Sequence, residues 1–157
     1  MLTEFENYLT LNNIYMWTNL GVLPFWLMLI SFPNSKITQI FTNSIILPLV
    51  FSTIYIYVFY QIVLLNDSLI DIFKLYIGLE DLYMVFSSEK FLLIFWVHFL
   101  TLNIFLGSWV SRDAFKNNIS KKLTFVPLVL LYFSGPLGLV FYWFLRVFYA
   151  KRLSFFD

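Results

Sequence analysis

His98 is the only histidine in the chain, and it sits inside the apolar run FLLIFWVHFLTLNIFLGSWV at 91–110. An ionisable side chain in the middle of such a run is costly in hydrocarbon, so it needs a partner or a task. Two readings of it stay open. It can shuttle a proton or bind the polar part of a lipid-like substrate. It can equally donate one hydrogen bond to a neighbouring helix and specify packing. On a helix, His98 shares a face with Thr101, Phe105 and Trp109, whereas Asn103 shares another with Trp96 and Gly107. The pairing of Asn103 with Gly107 reads as helix contact: the small residue admits a neighbouring backbone and the amide bonds to it. The carboxylates nearest His98 in sequence are Glu80, Asp81, Glu89 and Asp113. Each reads either as a solvated or capping charge or as an acid that assists the histidine.

Other chemistries lack their residues. There is no cysteine, which removes disulfides, thiolate metal sites, iron–sulfur clusters and cysteine nucleophiles together. With one histidine besides, neither a structural zinc nor a histidine-ligated haem is expected. No glycine-rich phosphate loop and no serine nucleophile elbow occurs. A net charge of +1 makes no electrostatic case for nucleic acid. The expectation is therefore no cofactor, no metal and no nucleic-acid partner.

The elements that must position these residues are membrane helices. Hydrophobic residues make up 61% of the chain and charged ones 12%, about half the charged share of an average soluble domain. A crossing helix needs about 20 predominantly apolar residues. Such runs occur at 14–32, 37–65, 91–110 and 123–148. The fold class expected is thus an all-α membrane protein of four transmembrane helices, forming one membrane domain over 1–157. Pro24 should kink the first span, Pro48 should bend the second, and the GPLG at 135–138 breaks the fourth. Between the second and third spans, Asp71, Lys74, Gly78 and Asp81 recur at helical spacing along the apolar stretch 69–86. That pattern predicts an amphipathic helix lying in the interface. Ser87 or Ser88 should cap the next helix, with Glu89 in its first turn.

The N-terminal segment carries Glu4 and Glu6 and no basic residue, so neither a secretory signal nor a transit peptide is expected there. Four spans put both termini on one side. Basic residues divide evenly between the two sides: Lys36, Arg112, Lys116, Lys121 and Lys122 on one, and Lys74, Lys90, Arg146, Lys151 and Arg152 on the other. Lys36, which follows the first helix, tips the orientation toward termini outside, in a bacterial inner membrane. Arg146 sits near a helix end, where long side chains snorkel.

Several of these stretches resemble one family. LEDLYMVFSSE at 79–89, the Trp96-x-His98 element, Phe105 and Asp113 resemble the abscisic-acid-deficient-four proteins, the neoxanthin synthases of plants, and their bacterial relatives. VLPFWLML at 22–29 is similar to that family's first span, and GPLG at 135–138 to a break in its last helix. The resemblance covers nearly the whole chain. It implies a four-span membrane protein and, in plants, conversion of the epoxy-carotenoid violaxanthin to the allenic neoxanthin. That reaction is an isomerisation and needs no redox cofactor. It needs an acid at the epoxide oxygen and a base at the polyene. On an enzyme reading, His98 is expected to be the acid–base, with Glu80, Glu89 or Asp113 assisting and Trp96, Asn103 and Trp109 in contact with substrate. The chain departs from the family at Asn103-Ile104-Phe105, where Asp-Leu-Phe is usual. Asparagine neither takes nor gives a proton at ordinary pH. Two functions follow for comparison with the structure: an isomerase of a carotenoid or related isoprenoid lipid, and a non-catalytic protein that binds a carotenoid or a membrane-protein partner.

Overall fold

Backbone groups that leave water must find partners inside their own segment, which a helix provides without help from neighbours. The structure, a computed structural model, describes residues 9–42, 44–63 and 73–150. Every regular element among them is helical: α1 (Leu11–Ser31), α2 (Lys36–Phe41), α3 (Ile46–Val63), α4 (Leu79–Phe86), α5 (Glu89–Lys116), α6 (Lys121–Ser134) and α7 (Pro136–Ala150). The chain is all-helical, as its composition predicts. Among the described residues α1 and α5 are long and apolar enough to cross a membrane, while α3 and α7 are shorter apolar helices.

The helix boundaries differ from the expected spans for local reasons. α1 runs through Pro24 unbroken. The second span is two helices. A proline ring clashes with the carbonyl four residues back, and for Pro48 that residue is Ser44, in the bend between α2 and α3. Ser44 Oγ accepts the Ile46 N–H at 3.3 Å and starts α3 afresh. The end of that span beyond 63 lies outside the described residues. Within the described part of the expected interfacial helix, residues 73 and 74 are helical, a turn follows, and α4 starts again at Leu79 after Gly78, which is extended (φ −166°). Lys74 and Asp81 therefore do not share a helix, and Asp71 lies outside the described residues. α5 begins after Ser88, with Glu89 in its first turn, and the Leu92 N–H donates to the Ser88 carbonyl at 2.9 Å. It does not stop at 110. Arg112, Asp113 and Lys116, beyond the end of the expected span, are its last turns.

The largest difference is at 123–148. Gly135 takes φ 56°, a left-handed value that glycine adopts without penalty, and ends α6. Pro136 then opens α7 at the one helical position that has no N–H to lose. The two helices fold back on each other. A Cβ on Gly138 would meet the Pro127 carbonyl oxygen at 2.6 Å, as well as the backbone nitrogen of Leu131, so backbone lies on backbone. α6 and α7 are about 21 and 22 Å long, each short of a hydrocarbon core of about 30 Å.

By contact the chain forms two compact units. The first takes in Met1–Leu20 and Leu49–Leu100, the second Gly21–Pro48 and Thr101–Asp157. The first has its core at Ile14, Val58, Leu93, Ile94 and Val97, where α3 packs against the start of α5. In the second, α6 runs back along the end of α5: Thr124 and Leu128 share a hollow with Ser111 and Ala114, and the Gly135 turn meets Asn103. α7 then returns along α5 until Tyr142 and Arg146 reach Asp113. Both ends of the α6–α7 pair thus lie at the C-terminal end of α5.

Gly138→Ala forces a methyl into backbone and should cost at least about 1–3 kcal/mol. Gly21 in α1 has open space around it, so Gly21→Ala should stabilise by about 0.5–1 kcal/mol. Thermal unfolding of the two detergent-purified variants, which should move in opposite directions, checks both.

Candidate functional site

In the first unit, the inner edge of α5 and the start of α1 enclose a groove. It has a volume of about 590 Å³ and is lined by Leu11, Asn12, Tyr15, Glu89, Leu92, Leu93 and Trp96. Trp96 is its fixed wall. The indole N–H donates to Asn19 Oδ1 at 3.1 Å, and the Asn19 amide donates to the Tyr15 carbonyl at 2.6 Å. Phe99 stacks on the indole at 5.4 Å and Tyr15 lies 6.2 Å away. Glu89, at the helix start, is the single carboxylate among the lining residues. The groove is therefore apolar and aromatic along its length, with an acid and an amide at one end. It suits a flat or unsaturated hydrocarbon with a polar terminus.

His98 is not part of this groove. Its side chain is exposed on the outer face of α5, with the Tyr55 ring 6.0 Å away. The outward position follows from the face it shares: Leu102, Phe105 and Phe95 beside it are all about half exposed. Glu80 is exposed on α4.

In the second unit, Asp113 Oδ2 gathers three donors. Tyr142 Oη–H donates at 2.6 Å, Arg146 Nε–H at 2.8 Å and Asn117 Nδ2–H at 3.1 Å. Tyr142 is fully buried and Arg146 is 4% exposed, so this is a desolvated ion pair with a phenol set against it. Trp109 closes the cluster edge-on against Tyr142 at 5.7 Å. Arg146 accordingly does not snorkel to water; the carboxylate holds it inside. Asn103 is buried with its Nδ2 unpartnered, and its Oδ1 fills the space where a side chain on Gly135 would stand. Gly107 on the same face receives Trp26, whose ring lies 2.8 Å from where a Cβ would be. The face that carries Asn103 and Gly107 is the packed one, and the face that carries His98 is the open one.

Of the residues singled out from sequence, Glu89 and Trp96 come together in one groove, and Asp113 and Trp109 meet through Tyr142. His98 and Glu80 join neither group. Asn19, Tyr142 and the pairing of Arg146 are supplied by the fold. A signal for two of them exists: Asn19 and Arg146 are polar residues inside apolar helices, which need partners. Tyr142 has none, being one of 10 tyrosines. Among the described residues no three of His, Asp and Glu come together as a metal would require.

Comparison with known proteins agrees with the residues that carry the resemblance. Residues 13–142 match the model of a family described as ABA DEFICIENT 4-like. Over 123 residues the chain is 29% identical to the protein ABA DEFICIENT 4, chloroplastic, of Arabidopsis thaliana. The aligned stretch is 76% of this chain and 54% of that one, so the chain spans about half the length of this curated relative. No solved structure matches the chain.

Removing one member of the Asp113–Arg146 pair leaves a buried charge. Asp113→Ala should therefore cost about 3–5 kcal/mol. Tyr142→Phe, which deletes one hydrogen bond to a charged group, should cost about 1.5–3 kcal/mol. The double variant Asp113→Leu/Arg146→Met should recover much of the first loss. Unfolding midpoints of the purified variants give all three values.

Proposed function

The chain belongs to the ABA DEFICIENT 4-like family, and from that premise we propose that it is a multi-pass membrane protein that takes a carotenoid or related isoprenoid lipid into the Trp96 groove and isomerises it. The observation that carries the reading is the groove itself, an aromatic channel with one carboxylate at its end. Its volume of about 590 Å³ accommodates a ring end group rather than a whole polyene. The polyene tail would lie along the apolar faces of the helices, where Leu20, Leu92 and Phe95 are exposed. Isomerisation conserves every atom: one proton leaves the hydrocarbon as another reaches the epoxide oxygen. Glu89, the one carboxylate in the groove, would take the first and, once protonated, supply the second to the opening epoxide oxygen. Asn12 and the Tyr15 ring would hold the polar end.

A second reading, binding without chemistry, is favoured by the placement of His98. It does not line the groove, so no histidine–carboxylate pair faces a ligand there, and Asn103 supplies no acid in its place.

The membrane arrangement proposed has α1, α3 and α5 crossing the bilayer, with α6–α7 entering and leaving from one side in place of a fourth span. Large outward apolar side chains on α7, including Phe141, Phe144 and Phe148, support lipid around it. At the turn Gly135 is buried, and Pro136, which follows it, has no N–H to leave unpaired at membrane depth. α4, with Leu79, Tyr83 and Met84 exposed, would lie in the interface. With the re-entrant pair, Arg146 at the end of α7 falls on the side of Lys116, Lys121 and Lys122. The even division of basic residues then disappears, and the positive-inside rule puts that side in the cytoplasm.

Reporter fusions after Lys121 and after Ala150 should thus report the same side; opposite sides would restore a fourth crossing. For the activity, the protein is expressed in hosts that accumulate different epoxy-carotenoids and the pigments are profiled. Glu89→Gln should reduce any new product at least about a hundredfold at equal membrane abundance. Trp96→Ala should reduce both product and co-purified pigment about tenfold, and His98→Ala should leave both unchanged. Pigment that co-purifies while its profile stays the same in every host would decide for binding alone.

A further inference from the structure

Basic residues gather at the C-terminal end of α5. Within 21–48 and 101–150, Asp113 is the only carboxylate, and Arg146 already occupies it. Lys36, Arg112, Lys121 and Lys122 lie in the same stretches, all exposed.

Beside this charge are two adjoining hollows. The larger, of about 300 Å³, is lined by Pro33, Asn34, Gln39, Ser111, Arg112 and Phe115. The smaller, of about 30 Å³, brings Lys121 and Thr124 close to the same Ser111. Ser111 is 4% exposed, and its hydroxyl has no partner. A buried hydroxyl left unbonded is unfavourable, so a site that lines two hollows with one is a site for an acceptor. Pro33 and Phe115 give the larger hollow apolar walls, and on the same short helix as Gln39 the side chains of Ile37, Ile40 and Phe41 are exposed.

We infer that the hollow at Ser111 and Arg112 binds the phosphate of an anionic membrane lipid. The guanidinium of Arg112 offers the forked donor geometry that phosphate accepts. The Ser111 hydroxyl donates from below, and the side-chain amides of Asn34 and Gln39 are the remaining polar partners. Lys121 adds charge from the neighbouring hollow. These apolar side chains select a lipid over free phosphate, because acyl chains alone would use Phe115 and the outward isoleucines of α2. The inference is independent of what the Trp96 groove binds.

The test uses the full chain in a neutral detergent, with the unfolding midpoint followed as short-chain phosphatidylglycerol, short-chain phosphatidylcholine or inorganic phosphate is added. Phosphatidylglycerol should raise the midpoint saturably and the other two should not. Arg112→Gln should weaken the apparent affinity for phosphatidylglycerol about fivefold. Ser111→Ala, which leaves the surface charge intact, should weaken it about tenfold. An equal response to phosphatidylcholine removes the anionic requirement, and an equal response to inorganic phosphate removes the lipid; either overturns the inference. So does a Ser111→Ala variant that responds like the unmodified protein, since binding would then belong to a diffuse basic surface rather than to the hollow.

Discussion

A guanidinium inside an apolar helix has to be met by an anion, and in the second unit that requirement organises the rest. Arg146 is on α7, and it pairs with Asp113 on α5. For the two to meet, α7 must run beside the end of α5 instead of away from it. The turn at Gly135 and the bare backbone of Gly138 make that return possible, because a side chain at either position would strike Asn103 or the backbone of α6. Tyr142 completes the arrangement by donating to the same carboxylate oxygen. The pair is thus less a store of stability than a specification of path, a role for which buried ionic groups are well suited.

The same constraint explains why the apolar stretch reverses at Gly135 instead of continuing as one crossing helix. A continuous helix over this stretch would carry Arg146 away from Asp113 and leave both charges without partners. Folding back keeps the charged pair at one end of α5 and the turn at Asn103. It also brings Arg146 to the end of α5 where the basic residues of α5 and α6 lie, which is the physical basis for the proposed orientation.

On α5 the two faces divide the chemistry differently from the histidine's promise. His98 belongs with Phe95, Leu102 and Phe105 on the open face. Trp96, Asn103 and Gly107 belong to the face that packs. The tryptophan two residues before the histidine, anchored through Asn19, is the better-held group.

Much of this is legible in the amino-acid sequence alone. Apolar runs of sufficient length, with few charges, dictate helices. Ser88 and Glu89 mark where α5 begins, Pro33-Asn34-Ser35 marks the turn after α1, and spacing alone separates the His98 face from the Asn103 face. The family, too, is written in short stretches such as FSSE and Trp96-x-His98. What the linear pattern does not decide is where each helix goes next and which face meets a neighbour. Gly135-Pro136 reads equally as a kink in a crossing helix or as a reversal, since both need the same local backbone. Arg146 reads equally as a snorkelling cation or as half of an ion pair, since both need the same side chain. Only the packing of α7 against α5 chooses, because charge pairing and backbone contact act between segments far apart in the chain, and periodicity within one segment carries no information about its partner.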